Sequence, residues 1–222
     1  WAISIDPNFS GTGSNVISFV AIDNAGKESA NTGTATVNYG DLTISGNVYN
    51  DANGTVNSLI DGTLISSASA QPLYANLVNH STGLIVGSVA VSGGTYSLGT
   101  ANGVQANTNF DVVLSTVQGV NGTTTGATST IPAGWAHTAD GSGTGDGTPD
   151  GLVAANITTS SISSGADFGI EQLPTAGSGT ASLTNPGGTN SATVPASAFT
   201  NTTLSSDVAP GTVSYIRITV FP

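Results

Sequence analysis

The sequence predicts an all-β protein assembled from sandwich-type modules. Three observations predict it. Val, Ile and Leu recur on alternate positions in short runs, the pattern of strands with one buried face. Clusters of Gly, Asn and Asp separate those runs and supply turn chemistry. No stretch sustains a 3.6-residue period in helix-forming residues, so helix is expected to be close to absent.

Composition narrows the function classes. With 222 residues the chain has room for one large β domain or two ordinary ones. Hydrophobic residues make up 37% and charged residues only 7%, which fits a packed β core and not a charge-rich disordered chain. Thirteen acids face Lys27 and Arg217 alone, and the net charge of −11 argues against nucleic acid or an anionic membrane as partner. Membrane insertion is not expected either, since no apolar run approaches the roughly 18 residues of a span. Cysteine is absent, so the core has to hold without disulfides. The chain starts without Met, and Trp1, Ile3 and Ile5 already alternate like a strand, so it is expected to be part of a longer polypeptide.

Taken in order, residues 1–40 read as strands only. Trp1, Ile3 and Ile5 form one, Val16 to Ile22 a second, and Ala35, Val37 and Tyr39 a third. The turn Asp23-Asn24-Ala25-Gly26 joins the last two. Three strands are too few to close a two-sheet fold. In residues 41–173 the expected strands are 42–49, 73–78, 84–91, 95–98, 110–115, 152–157 and 166–170, a spacing that suits two packed sheets. Residues 174–222 open with a linker-like PTAGSGTASLTNPGGT. Short strands are expected at Ser191 to Val194 and around Phe199, then a final strand in which Ile216, Ile218 and Val220 alternate with Arg217 and Thr219.

These residues also carry a resemblance. ISGNVYNDANG, GTYSL, NFDVVLST and the closing ADFGI resemble a Cna-B/SdrD-B-like domain, a β-sandwich that opens into an Asp/Asn loop. PAGWAHTADGSGTGDGTPDG is similar to the corresponding segment in large Bacteroidota surface proteins. SFVAIDNAGKESANTGTATVNY resembles the last strands of a bacterial immunoglobulin-like repeat, and TNPGGTNSATVP with GTVSYIRITVFP resembles its opening half. The resemblance implies immunoglobulin-like/Cna-B-like β-sandwiches in three parts. Residues 1–40 would be a closing half-domain, 41–173 a complete module, and 174–222 an opening half-domain. It also implies an extracellular, cell-surface location, and calcium in relatives whose loop carries a fuller set of Asp residues.

Two oxygen-rich loops are the candidate metal sites. From Asp51 to Gly62, counted like an EF-hand loop, Asp51, Asn53 and Asn57 stand at positions 1, 3 and 7. Asp61 lies at the far end. Thr55 at position 5 and Gly62 in place of a bidentate Glu depart from that pattern, and an Asx-rich turn accounts for the same residues. The second loop holds Asp140, Asp146 and Asp150 among glycines that let backbone wrap a cation or simply make turns. Calcium is the cofactor these loops are expected to take.

An enzyme is not expected. His80 and His137 are too few for a zinc site and read as exposed loop residues, and no G-x-S-x-G elbow is present. Asp140, Asp146 and Asp150 offer carboxylate pairs. With aromatics at 6%, though, the platforms of a glycosidase cleft are missing, and Trp1 and Trp135 read as packing residues. Lys27, in the polar turn AGKES, reads as a surface lysine and not as half of an isopeptide bond. The Asn-x-Ser/Thr tripeptides at Asn8, Asn53, Asn79, Asn121, Asn156 and Asn201 are what a Thr-rich chain contains by chance. The expected function is that of a structural repeat unit in a surface adhesin, stalk or filament, with neighbouring copies as partners. The alternatives are a filament subunit that donates a strand, and an adhesin domain that binds host or environmental glycan or protein through its Gly/Asp loops.

Overall fold

The computed structural model describes residues 13–39, 41–53, 59–157, 163–177, 182–184, 186–195, 205–207, 211–213 and 216–219. Among them the chain is nearly all β, with a single 3₁₀ turn at Thr100–Asn102. The strands are β1 Gly13–Phe19, β2 Gly33–Tyr39, β3 Ile44–Asn50, β4 Thr63–Leu64, β5 Ser67–Ala68, β6 Gln71–Pro72, β7 Tyr74–Asn79 and β8 Leu84–Ala90. They continue with β9 Thr95–Leu98, β10 Thr108–Ser115, β11 Trp135–Gly141, β12 Leu152–Ile157, β13 Ser163–Ser164, β14 Asp167–Gln172, β15 Thr175–Ala176 and β16 Ser205–Ser206.

Two sheets share one core. The first runs β12-β10-β7-β8, antiparallel throughout. In the second, β3 lies between β14 and β13 on one side and β9 and β4 on the other, and β11 extends the sheet beyond β14. Ile44, Val48, Leu98, Phe168 and Ile170 of this sheet meet Leu77, Phe110, Val112, Leu114 and Ile157 of the first in one buried cluster. Phe168 and Ile170 are fully buried, as alternation in ADFGI predicts. Asp167 faces the other way, and its Oδ1 accepts the Asn47 backbone N–H at 2.7 Å and the Asn47 amide at 3.0 Å. Gly46 in ISGNV has a steric reason: a Cβ there would collide with the Ala166 carbonyl, which also accepts the Tyr96 hydroxyl.

A small second cluster forms on the outer face of the first sheet. Val78, Ile85 and Val113 are covered there by Ala127 and Leu152. The covering segment is residues 116–130, and it is fastened by Asn76, a fully buried residue of β7. The Asn76 amide donates to the Val117 and Gly126 carbonyls, each at 2.9 Å. Its Oδ1 accepts the Ser88 hydroxyl at 2.7 Å and the Gly119 N–H at 2.9 Å. All four hydrogen-bonding capacities of the side chain are used.

The flanks are built differently. β1 and β2 form a hairpin, and among the described residues they pair with no other strand. Phe19 lies over Gly33 yet is 51% exposed, and Val20 and Ile22 are exposed beside it. β15 and β16 make a two-residue ladder. The expected strand at Ser191 to Val194 is absent, and residues 216–219 belong to no strand, with Ile216 and Ile218 exposed. Apolar residues recur in both places, but among the described residues neither segment pairs with a sheet edge. The expected strands at residues 1–5 and around Phe199 lie outside the described residues.

Candidate functional site

The two acidic loops predicted from sequence are brought together at one end of the second sheet. Leu59 bridges to Thr144, and the Ile60 N–H donates to the Gly143 carbonyl at 3.2 Å. Ile60 is buried at this junction and fixes one loop against the other.

Asp51 leaves the end of β3 and is fully buried. Its N–H continues the ladder to the Ile170 carbonyl at 3.0 Å. Its Oδ2 accepts the Thr138 hydroxyl at 3.1 Å, and Thr138 occupies the irregularity in the β11–β14 ladder between His137 and Ala139. Gly169 makes the room: a Cβ there would stand 2.5 Å from Thr138 Oγ1 and 2.6 Å from Asp51 Oδ2. Burial raises the Asp51 carboxyl above its usual range, the Thr138 bond opposes the shift, and the charge of Asp61 adds to it. Glu171 is likewise raised, by burial first and then by the charges of Asp207 and Asp51. Asn53 is exposed and Asp61 half-buried. Asn57 lies outside the described residues.

Asp140, the last but one residue of β11, is also fully buried. Its Oδ2 accepts the Gly151 N–H at 2.6 Å, while Oδ1 is buried without a hydrogen-bond partner among the described residues. Burial is the main cause that raises its pKa to about 6, with the charges of Asp146 and Asp150 adding to it. Both of those residues are exposed and turned to nearby backbone. Asp146 Oδ1 accepts the Thr148 N–H at 2.8 Å, and Asp150 Oδ1 accepts the Leu152 N–H at 3.0 Å. These are Asx turns, where the sequence reading had a connection whose glycines serve turns as the alternative. Among the described residues no group of three or more His, Asp or Glu side chains converges as a metal cluster would require.

The histidines differ from expectation in one case. His80 is exposed, with Nδ1 2.9 Å from Asp111 Oδ2. His137 is not a loop residue: it is half-buried on β11, and burial lowers its pKa. Ser129 donates its hydroxyl proton to the Leu114 carbonyl, so His137 Nε2 carries the proton that bridges the 2.8 Å to Ser129 Oγ. Nδ1 is left as a buried acceptor with no partner among the described residues. Trp135 packs on the edge of the core and donates its indole N–H to Ser69 Oγ at 3.0 Å, as expected of a packing residue.

Thr138 escaped sequence reasoning, since residues 135–141 do not alternate between apolar and polar. Gly169 and Glu171 lie on β14, where nothing in the local sequence signals their nearness to Asp51. The adjacency of the loops had one signal: Leu59-Ile60, two adjacent large apolar residues in an Asp/Asn-rich loop. No protein-family model matches the chain, and no curated protein matches it.

Proposed function

We propose that this chain is a repeat unit of an extracellular surface adhesin, stalk or filament, with a Cna-B/SdrD-B-like β-sandwich at residues 41–173 between two half-domains of an immunoglobulin-like fold. The observation that carries the reading is the contrast in closure between parts of one chain. The central module buries its apolar strands in one core, whereas the β1–β2 hairpin and residues 216–219 leave Phe19, Ile22, Ile216 and Ile218 exposed. Apolar strand sequence left wet at both flanks is what end-to-end completion by a neighbouring copy uses. The acidic surface keeps such units soluble and away from nucleic acid.

Calcium belongs to this reading as the candidate ligand of the loop junction, where Asp140 Oδ1 is buried without a partner among the described residues. Millimolar calcium is then expected to raise the melting temperature and chelator to lower it. Identical melting curves in the two conditions remove calcium from the reading.

The test of the assembly uses two copies joined in one polypeptide, compared with one copy by hydrogen–deuterium exchange. Amides of residues 216–219 in the first copy and 33–39 in the second are expected to gain protection. Equal exchange in single and joined copies overturns the proposal.

A further inference from the structure

We propose that the central module carries a second site, a groove beside β8 that binds neutral carbohydrate. It lies apart from the acidic loops, and it does not depend on the repeat-unit reading. Two adjoining hollows of about 420 Å³ and 500 Å³ flank β8 and share Asn121 as a wall. Each falls within the roughly 300–1,000 Å³ typical of small-ligand sites. The first presents Ser88, Asn102 and Gln118, and the second presents Thr82 and Gln105.

Three features select the ligand class. No charged residue is among those lining either hollow, so nothing there compensates an anionic or cationic group. The amides of Gln105, Gln118 and Asn121 are exposed and make no hydrogen bond among the described residues. Each amide offers a donor and an acceptor side by side, the complement of a pair of neighbouring sugar hydroxyls. Leu84 and Val86 give the second hollow an apolar wall for the C–H face of a sugar ring.

The groove is also held in shape before any ligand arrives. Gln118 and Asn121 stand on the segment that Asn76 fastens through Val117, Gly119 and Gly126. The Ile85 N–H donates to the Thr123 carbonyl and the Gly122 N–H to the Ile85 carbonyl, both at 2.9 Å, which ties the same segment to β8. Little loop ordering remains to oppose binding. Phe110 lines the second hollow but is only 2% exposed, so no aromatic platform contributes. Binding therefore rests on hydroxyl–amide pairs repeated along a polymer.

The experiment is affinity electrophoresis of the whole chain in gels cast with neutral polysaccharides (dextran, mannan, xyloglucan, mixed-linkage β-glucan) and with anionic alginate and polygalacturonate. At least one neutral polymer is expected to retard the chain. Gln118→Ala combined with Asn121→Ala is expected to weaken that retardation roughly tenfold or more, the loss of a few hydrogen bonds, with unchanged melting. Asn121→Asp, nearly isosteric, provides a second variant with the same expected loss. Retardation by no neutral polymer, retardation by the anionic polymers alone, or retardation that survives in both folded variants overturns the proposal.

Discussion

Strand β14 and the segment around Phe19 both carry large apolar side chains and meet different fates. In ADFGI, Phe168 and Ile170 alternate with polar or small residues and are fully buried between two sheets. In SFVAI, Phe19 and Ile22 are equally apolar, yet they are 51% and 63% exposed on a hairpin that pairs only with itself among the described residues. Local pattern specifies an extended chain, while burial depends on a second layer supplied from elsewhere. Apolar residues in extended chain therefore mark a finished core in one region and an unfinished one in the other.

The comparison can be broken most strongly at Phe168. Phe168→Ala is expected to destabilise the module by about 3–5 kcal/mol, as for a buried aromatic. Chemical denaturation measures this, and a loss below about 1 kcal/mol would place β14 outside the core. Asn76→Ala comes next, with an expected loss of about 2–3 kcal/mol from buried groups left unpaired. Hydrogen exchange should show faster exchange confined to residues 116–130, and uniform acceleration across the module would contradict the fastening role.

Asp140→Asn sharpens the comparison through pH. A carboxyl whose folded pKa is raised to about 6 favours folding when protonated. That contribution is complete below the unfolded value of 3.8 and is lost as pH rises through about 6. Asp140→Asn keeps an oxygen for the Gly151 N–H and removes the charge. It is expected to stabilise the chain at pH 7 by on the order of 2 kcal/mol and to flatten the pH dependence of unfolding between about 4 and 6. An unchanged profile would show that Asp140 is solvated. The smallest effect is expected at the hairpin: Ile22→Ser should change the stability of the single chain by less than about 0.5 kcal/mol. In two joined copies the same substitution should cost more, and equal losses in both would remove the hairpin from any contact between copies.

How much of this was legible depends on which residues carried the signal. β9 and β12 were predicted to their boundaries, because Tyr96 and Leu98, or Ala155 and Ile157, fill one face while the intervening residues stay polar or small. β11 was read as loop. Its buried positions are three in a row, Thr138, Ala139 and Asp140, and only the neighbouring β14 makes a strand of them. The acidic loops were visible as two separate stretches. Their meeting required the contact of Ile60 with Gly143, residues far apart in sequence. Asn76 gave one faint sign, an amide flanked by Ala75 and Leu77 in the middle of β7. Its four partners come from β8 and a distant loop, which alternation does not encode.

The parallel pairing at the centre of the second sheet bears on force. β3 opens the module and β14 closes it, and the two run side by side in the same direction, Phe168 to Ile170 against Val48 to Asn50. β13 extends that parallel contact to Ile44 and Ser45. The chain therefore enters the module at one end of this seam and leaves it at the other. Tension applied through the flanks pulls the two strands past each other along their length. Under that shear the hydrogen bonds share the load together, where a hairpin pulled from its open end would yield one rung at a time.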